Sequence, residues 1–583
     1  MAAELLRDNI ILRRIIPMKR KVLSALLAAT MVGGLLAGCG NSSTSSSVKS
    51  STGSSSTGTS ASSAADDSVT KTDLGGYTEE NPYHLVFSYI EFYQQDDAAR
   101  TAVQDALNEY MIPKYHMEVE FLPLQYSEYT QKIQLMISGG DELDIIPILF
   151  SNASSWIAMN GIEDMNQYMD TPEGKAIIDT LGEANAYVGS MNGILFGFPA
   201  QKESVDIGGL CMRADICDEL GITEEYGLGK NQDEYTGKVY DWSVAGEIFQ
   251  KVKEAHPEMT PLYMQGSASV SNRFRWFDPL ADNFGVLDWE KDHDSTEVVN
   301  WYETDTYKEV VTLLADWYDK GYIYQDALTD QQGSSTMMKA GNTFSYITPI
   351  KPGFLVEANA ANGTECYAMY FGNDVEGGLA TTNTSYIDTG IASNSADPEM
   401  AFKFISALYT DATVMNIWQN GIEGTNYQVL DDGTAYFVDG EDASNYKYHQ
   451  NTGWMMGNQF NTYVWNDGSR DANYWEKLQA HNDWAQYSPA YGFMWDSSNY
   501  STQITALQNA LSTYRPALET GSVGTAGLEE TLQKLNDALY AAGLQDVMDA
   551  KQEQLNTWLD ENGATKTPQS NLDKIEAAKE ANK

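Results

Sequence analysis

The stretch LVFSYIEFYQQDDAARTAVQDALNEYMIPKYHMEVEFLPLQYSEYTQKIQLMISGGDELDIIPIL, at residues 85–149, decides the fold. Short apolar runs rich in β-forming residues alternate in it with longer segments whose apolar residues recur at helical spacing. The pattern predicts strands at 85–90, 117–121 and 143–149, with helices at 96–111 and 126–137 between them. A β-α-β-α-β order predicts an α/β fold with mostly parallel sheets and right-handed crossovers.

The ends of these two helices carry their own signals. Asp96 and Asp97 suit the start of the first helix, and Pro113 is expected to stop it. Gly139 and Gly140 suit a left-handed backbone conformation at the end of the second helix.

The loops that follow the strands are the first candidates for a binding site. In open α/β sheets, ligands bind beyond the carboxyl ends of the strands. We therefore expect ligand contacts at 92–96 and 150–154, which makes Tyr93, Gln94 and Asn152 candidate ligand-binding residues.

The rest of the chain is too long for a single core. At 583 residues it should divide into at least two lobes, and a short hairpin at 192–199 leads into a new unit. Further predicted elements are a strand at 207–212, helices at 214–220, 243–256, 307–318 and 398–408 (the last with Asp397 as its N-cap), hairpin turns at 431–433 and 466–468, and a helical stretch at 503–558. The polar tail at 562–583 is expected to fray.

Charge and cysteine content exclude several classes of function. The 82 acidic and 36 basic side chains give a net charge of −46, which would repel phosphate backbones, so we expect no nucleic-acid partner. The four cysteines form no C-x-x-C pair and the six histidines are scattered, so we predict no metal and no other cofactor. Cys211 and Cys217 could form a disulfide, although buried free thiols are the favoured interpretation.

An export and anchoring signal stands near the N-terminus. Residues 18–39, MKRKVLSALLAATMVGGLLAGC, combine a cationic start, an apolar run and a bacterial lipobox that ends at Cys39. The alternative, a transmembrane anchor, is disfavoured because the apolar run is shorter than the ~20 residues that a spanning helix needs. We predict a signal peptide at 1–38, translation from Met18, and lipidation of the Cys39 thiol, which would hold the protein on the extracellular face of the plasma membrane.

A tether follows the predicted lipidation site. Residues 40–68 are almost entirely serine, threonine, glycine and alanine, without aromatic side chains. Such a segment cannot bury enough apolar surface to offset its ordering entropy, so we interpret 39–79 as a lipidated cysteine and flexible linker.

The body carries motifs that resemble a known family. They are KIQLMISGGDELDIIP at 132–147, MNGILFGFP at 191–199, ADWYDKGYIYQDA at 315–327, NGIEGTNY at 420–427, YGFMWDSS at 491–498, YRPALETGSV at 514–523 and AAGLQDVMDAKQEQLNTW at 541–558. Their order resembles the type II solute-binding proteins of ABC importers, and more narrowly the lipoproteins that carry the C-terminal domain of unknown function 3502. One departure is Gly139, which stands where that family has serine.

The resemblance implies a two-lobed fold that closes on its ligand. It implies hinge crossovers near 199–203 and 365–367, a monomer, and ABC permease subunits as partners. By the same analogy, lobe one holds 80–201 and 366–415, and lobe two holds 202–365 and 416–583, including a C-terminal helical domain at about 430–560.

Sugar recognition suggests particular side chains. Sugar rings stack their C–H faces on aromatic planes, and their hydroxyls pair with carboxylates and amides. Segments that mix both types give the candidates Trp276, Asp278, Trp454, Asn458, Gln459 and Trp495. Glu423, between two glycines, is a further candidate, although it could instead cap a helix, and each tryptophan could instead be core.

The predicted function is capture of a carbohydrate, expected to be an oligosaccharide, for an ABC importer. A glycan-binding adhesin or sensor, a glycoside hydrolase and a peptide-binding protein stay open as alternatives. A hydrolase would need a carboxylate pair, but no nucleophile elbow, P-loop or metal motif supports chemistry, so we predict no enzymatic activity.

Overall fold

The computed structural model describes residues 76–93, 95–205, 207–230, 232–267, 269–330, 332–372, 375–466 and 470–582. The predicted signal peptide, Cys39 and nearly all of the linker lie outside the described residues, as does Gln94. Every described helix is too short or too polar to cross a lipid bilayer.

Fourteen strands and twenty α-helices build the described body. The strands are β1 (Tyr83–Ile90), β2 (Met117–Leu124), β3 (Ile145–Leu149), β4 (Gly189–Met191), β5 (Ile194–Pro199), β6 (Gly208–Arg213), β7 (Thr260–Tyr263), β8 (Thr343–Pro349), β9 (Cys366–Tyr370), β10 (Gly377–Leu379), β11 (Ile387–Ile391), β12 (Tyr427–Val429), β13 (Ala435–Phe437) and β14 (Ala485–Tyr487).

The helices surround these strands and dominate the C-terminal third. They are α1 (Asp97–Tyr115), α2 (Tyr129–Gly139), α3 (Phe150–Ala158), α4 (Pro172–Leu181), α5 (Glu183–Ala186), α6 (Ala214–Glu219), α7 (Ile222–Tyr226), α8 (Trp242–Ala255), α9 (Ser271–Phe274), α10 (Asp305–Asp319), α11 (Ser334–Lys339), α12 (Phe354–Asn362), α13 (Thr381–Thr384), α14 (Pro398–Thr410), α15 (Ala412–Asn420), α16 (Tyr474–Asn482), α17 (Ser501–Glu519), α18 (Gly524–Ala541), α19 (Leu544–Asn562) and α20 (Gln569–Ala581).

The first lobe is built on a six-stranded sheet in the order β2-β1-β3-β11-β5-β4. β1 pairs in parallel with β2 and β3, as predicted. β11 returns from the second lobe and pairs antiparallel with both β3 and β5. The predicted α/β class is confirmed. The prediction of mostly parallel sheets is wrong, because strands such as β11 enter from the opposite direction and make the sheet mixed.

The second lobe is built on a four-stranded sheet in the order β7-β8-β6-β9. The predicted return of the chain to lobe one at residue 366 is wrong. Residues 366–370 form β9, which pairs antiparallel with β6 in the second sheet. β6 already pairs with β8 on its other edge, and β9 satisfies the remaining backbone donors and acceptors. The chain therefore crosses to the second sheet between Pro199 and Gly208, and returns between Tyr370 and Ile387 rather than at 365–367.

The start of α1 is predicted correctly and its end is not. Asp96 caps the helix by accepting a hydrogen bond from the Ala99 amide. The helix continues through Pro113 to Tyr115, because proline costs only one hydrogen bond so near the end and Asp411 holds the last turn. Lys114 Nζ lies 2.7 Å and Tyr115 Oη 2.8 Å from Asp411 Oδ2.

The helices α2 and α20 differ in part from the sequence predictions. α2 begins at Tyr129 rather than Tyr126, whose ring stacks on Phe92 instead. Gly140 ends α2 with φ of 73°, as its lack of a Cβ allows. The expected fraying of 562–583 is wrong for α20, because Ile575 is buried against the second lobe.

The C-terminal helices form a separate core with an earlier part of the chain. α17, α18 and α19 pack on α10 and on residues 277–302, confirming the predicted helical stretch. Lys551 on α19 is buried there, with its Nζ 2.6 Å from Asp282 Oδ1 and 3.1 Å from the Gly285 carbonyl oxygen. The C-terminal region is thus part of the second lobe's packing and not an appended module.

Turns and thiols agree with the sequence where the structure describes them. β4 and β5 form the predicted hairpin, with φ of 53° at Asn192, and β12 and β13 form the hairpin that turns at 431–433. The turn at 466–468 falls partly outside the described residues. Cys211 and Cys217 are buried free thiols, which confirms the favoured interpretation.

Candidate functional site

A cavity of about 370 Å³ lies where the two lobes and the crossover after β5 meet. Its walls come from four separate parts of the chain. The lining side chains are Lys202, Glu203, Lys351, Glu357, Gln419, Asn420, His449, Asn451, Gly453, Trp454, Gln459, Thr462, Tyr463, Trp465, Arg470, Tyr474 and Trp475. This volume falls in the ~300–1,000 Å³ range of small-molecule sites.

The first-lobe wall is the segment 449–454, and hydrogen bonds fix it on two sides. The prediction that all of 416–583 belongs to lobe two is wrong here, because Tyr448, Met455 and Met456 are buried in the core of the first lobe. Gln95, in the loop after β1, accepts from the His449 amide at 2.8 Å and donates to the His449 carbonyl at 3.1 Å. Gln419, at the end of α15, accepts from the Thr452 amide at 2.8 Å. The loop at the carboxyl end of β1 therefore positions the wall, even where it does not line the cavity.

The crossover and the second lobe supply charged groups. Lys351 Nζ lies 2.6 Å from Glu203 Oε1, and Glu203 is 12% exposed. Burial alone would raise the pKa of Glu203, but the charges of Lys351 and Lys202 outweigh it and hold that pKa below its usual range. The Arg470 guanidinium pairs with Glu357 and lies over the Tyr474 ring, 4.9 Å from its centroid.

Aromatic rings form much of the remaining surface. The His449 ring stacks on Trp465 with 3.8 Å between centroids. Burial, assisted by the charge of Arg470, lowers the pKa of His449 to about 3, so its imidazole is neutral at physiological pH. Trp475 is oriented by a 2.7 Å hydrogen bond from its Nε1 to the Thr462 carbonyl oxygen.

Four buried polar atoms of lining residues have no hydrogen-bond partner among the described residues. They are Glu203 Oε2, Gln459 Oε1, His449 Nδ1 and Arg470 Nε. Buried polar groups are normally paired, and leaving one unpaired costs about 1–3 kcal/mol. The lining therefore carries polar groups whose hydrogen-bond partners the described residues do not supply.

The structure brings some of the sequence candidates to this cavity. Trp454 and Gln459 line it. Asn458, beside Gln459, is buried and donates from Nδ2 to the Tyr409 carbonyl oxygen at 3.2 Å. Tyr93 lies at the carboxyl end of β1 with 46% of its surface exposed.

The other candidates lie elsewhere. Asn152 donates to Tyr129 Oη at 3.3 Å and to Thr130 Oγ1 at 3.1 Å, within the first lobe. Trp276 packs edge-on against Trp289, with 4.5 Å between centroids, away from the cavity. The three remaining candidate residues also lie outside the cavity lining. Asp278 is buried, Glu423 is exposed in a turn, and Trp495 is 3% exposed in the C-terminal core.

A match to a family model covers more than half of the chain. Residues 105–435 match the model described as bacterial extracellular solute-binding protein. The chain belongs to this family. Residues 489–560 match the domain of unknown function DUF3502, so the resemblance noted from the sequence motifs is confirmed in both parts.

Known relatives of this solute-binding protein are distant but cover most of its length. A carbohydrate ABC transporter substrate-binding protein of Streptococcus pneumoniae is 22% identical over 462 residues, which are 78% of this chain and 87% of the relative. The crystal structure of the N-glycan transport solute binding protein NgtS from Streptococcus pneumoniae matches with a TM-score of 0.66 at 20% identity, over 82% of this chain and 99% of that one.

A second organism gives a similar match. An extracellular solute-binding protein from Bifidobacterium longum subsp. infantis has a TM-score of 0.55 at 13% identity, over 83% of this chain and 99% of that one. At such identities these likenesses establish the fold, and they confirm the predicted two-lobed type II architecture.

Sequence reasoning missed the charged lining of this solute-binding protein. Glu203, Lys351, Arg470 and Tyr474 carry no motif, and they meet only in the folded chain. One signal was available: Lys202 and Glu203 directly follow the predicted crossover, where a cleft between lobes must lie. Among the described residues, no cluster of three His, Cys, Asp or Glu side chains could hold a metal ion, and the expectation of no cofactor stays a prediction.

Proposed function

We propose that this solute-binding protein captures an oligosaccharide in the cavity between its lobes and delivers it to an ABC importer. The observation that carries the proposal is the lining itself, in which charged and amide side chains stand among five aromatic rings. Sugars carry hydroxyls that pair with such polar groups and C–H faces that stack on such rings, whereas an apolar ligand would leave the polar groups without partners.

The relatives support the same ligand class. One is named as a carbohydrate ABC transporter substrate-binding protein. NgtS has been crystallised with Man1GlcNAc and with Man5GlcNAc. Because these proteins are at most 22% identical to this chain, they support the ligand class and not a particular sugar.

A hydrolase needs a carboxyl group that donates a proton, and therefore a raised pKa. The cavity contains two carboxylates, Glu203 and Glu357. The pKa of Glu203 is shifted in the opposite direction by Lys351, and Glu357 is paired with Arg470. The geometry favours binding, and the relatives described above are named as binding proteins.

The test is calorimetric titration of the full-length chain against an array of defined oligosaccharides, with short peptides as a second set. We expect at least one glycan to bind and remain intact, and Trp454→Ala to weaken that binding about tenfold or more through lost ring contact. Trp276→Ala, a partly buried tryptophan outside the cavity, is the matched control and should bind normally. Binding of peptides alone, or release of shorter sugars, would overturn the proposal.

The proposal includes a location and partners. Lipidation at Cys39 would tether the monomer to the extracellular face of the membrane, next to ABC permease subunits. Membership of an extracellular family supports this location. An adhesin without transport would bind the same glycan but would not restore its uptake in a strain that lacks the protein.

A further inference from the structure

Three aromatic rings form a row that leads out of the cavity. Trp454, which lines the cavity, lies 5.6 Å from Phe92, and Phe92 lies 5.8 Å from Tyr126, measured between ring centroids. The planes of Phe92 and Tyr126 differ by 29° and those of Phe92 and Trp454 by 39°. The row therefore extends the aromatic side chains of the cavity wall outward from Trp454 to Tyr126.

The rings at the outer end of this row are not core residues. Phe92 is 42% exposed and Tyr126 is 52% exposed. Exposed aromatic surface costs about 25 cal/mol for each Å² left in water, so the exposure of two adjoining rings requires an explanation. Internal packing does not supply it, because neither outer ring belongs to a buried cluster of the described residues.

The backbone holds the row in place. Phe92 follows β1 and Tyr126 follows β2, two parallel strands whose ends are paired at Ile90 and Leu124. Gln95 ties the same loop to the cavity wall through its two hydrogen bonds to His449. The outer rings and the 449–454 wall of the cavity are thus held at the same edge of the first sheet.

We infer that the aromatic row (Trp454, Phe92 and Tyr126) is an outer sugar-stacking surface, and that the ligand is an oligosaccharide too long for the cavity alone. The inference rests on the proposed function and deepens it. One end of the glycan occupies the cavity, and the following sugar units lay their C–H faces on Phe92 and Tyr126. Tyr93, in the same loop as Phe92, is 46% exposed.

The experiment compares short and long glycans on the full-length chain. The probes are the shortest and the longest bound members of the best-bound series in the oligosaccharide array, with Man1GlcNAc and Man5GlcNAc included. Phe92→Ala with Tyr126→Ala should weaken the long glycan about tenfold and leave the short one within about twofold. Tyr540→Ala removes a ring that is 38% exposed on α18, far along the chain from the row, and is the matched control.

Each outcome decides a different claim. Equal losses for both glycans, or no loss for either, would overturn the outer surface while leaving the cavity proposal intact. Absence of binding by the unmodified protein to every glycan would overturn the proposed function and this inference with it. Thermal denaturation checks that the double variant folds. The substitution Phe92→Tyr, made in place of Phe92→Ala, keeps the ring and should restore affinity for the long glycan relative to the double variant.

Discussion

Asp388 is a buried carboxyl group at the point where the chain returns to the first sheet. It lies on β11 opposite Pro199 and is fully buried. Ser385 donates a hydrogen bond to Oδ2, whereas Oδ1 has no partner among the described residues. Burial raises the pKa of Asp388 from 3.8 to about 7, partly offset by the bond from Ser385.

The consequence is a loss of stability as the pH rises. A carboxyl group whose pKa is higher in the folded protein binds its proton more tightly there, so its contribution falls between about pH 4 and pH 7. At about 1.4 kcal/mol for each pKa unit, the shift from 3.8 to about 7 costs about 4 kcal/mol above pH 7. Asp388→Asn keeps the shape and removes the charge, while its buried amide costs about 1–3 kcal/mol.

The assay is urea denaturation of both proteins from pH 4 to pH 8. The variant should be no more stable than the unmodified protein near pH 4, and should gain on it by about 4 kcal/mol by pH 8. Asp179→Asn, on the exposed face of α4, is the control and should show no such gain. A constant difference between Asp388→Asn and the unmodified protein across this range would show that the carboxyl group is not kept neutral by the fold.

A buried ion pair, a buried phenol and the predicted lipid anchor give three more measurable outcomes. Lys551→Met leaves the Asp282 carboxylate without its cation and should lower the unfolding free energy by about 3–5 kcal/mol in urea. Lys534→Met breaks an exposed ion pair and should change that free energy far less, and equal losses would contradict this. Tyr491→Phe removes a hydroxyl that bonds Asn185 and Thr384, and should cost about 1 kcal/mol by the same measurement, with no change refuting it. Cys39→Ala should move the protein out of the membrane fraction, and its retention there would reveal another anchor.

Local features of the fold were predictable from the sequence because their causes are local. Asp96 caps α1 through the Ala99 amide, and Asp397 caps α14 through the Met400 amide, each within three residues. The passage of α1 through Pro113 was not predictable, because the last turn is held by a distant carboxylate. Local signals therefore identify elements better than they identify where those elements end.

The cavity was predicted only in part, because residues far apart in the sequence form it. Glu203 and Lys351 are 148 positions apart, and Arg470 pairs with Glu357 across 113 positions. Tryptophan identity alone does not separate a cavity-lining residue from a core residue: Trp454 lines the cavity, while Trp495 is buried in the C-terminal core. The rule that ligands bind beyond the carboxyl ends of parallel strands led to the loop of Tyr93, which holds the cavity wall through Gln95. Ligand contact by Tyr93 itself stays a prediction.

A crystal structure of the full-length chain with its best-bound oligosaccharide tests the central claim most directly. We predict a sugar ring against Trp454, ligand hydroxyls within hydrogen-bond distance of the Glu203 and Gln459 side chains, and further units over Phe92. A glycan bound away from this cavity, for example beside Trp276, would contradict the account.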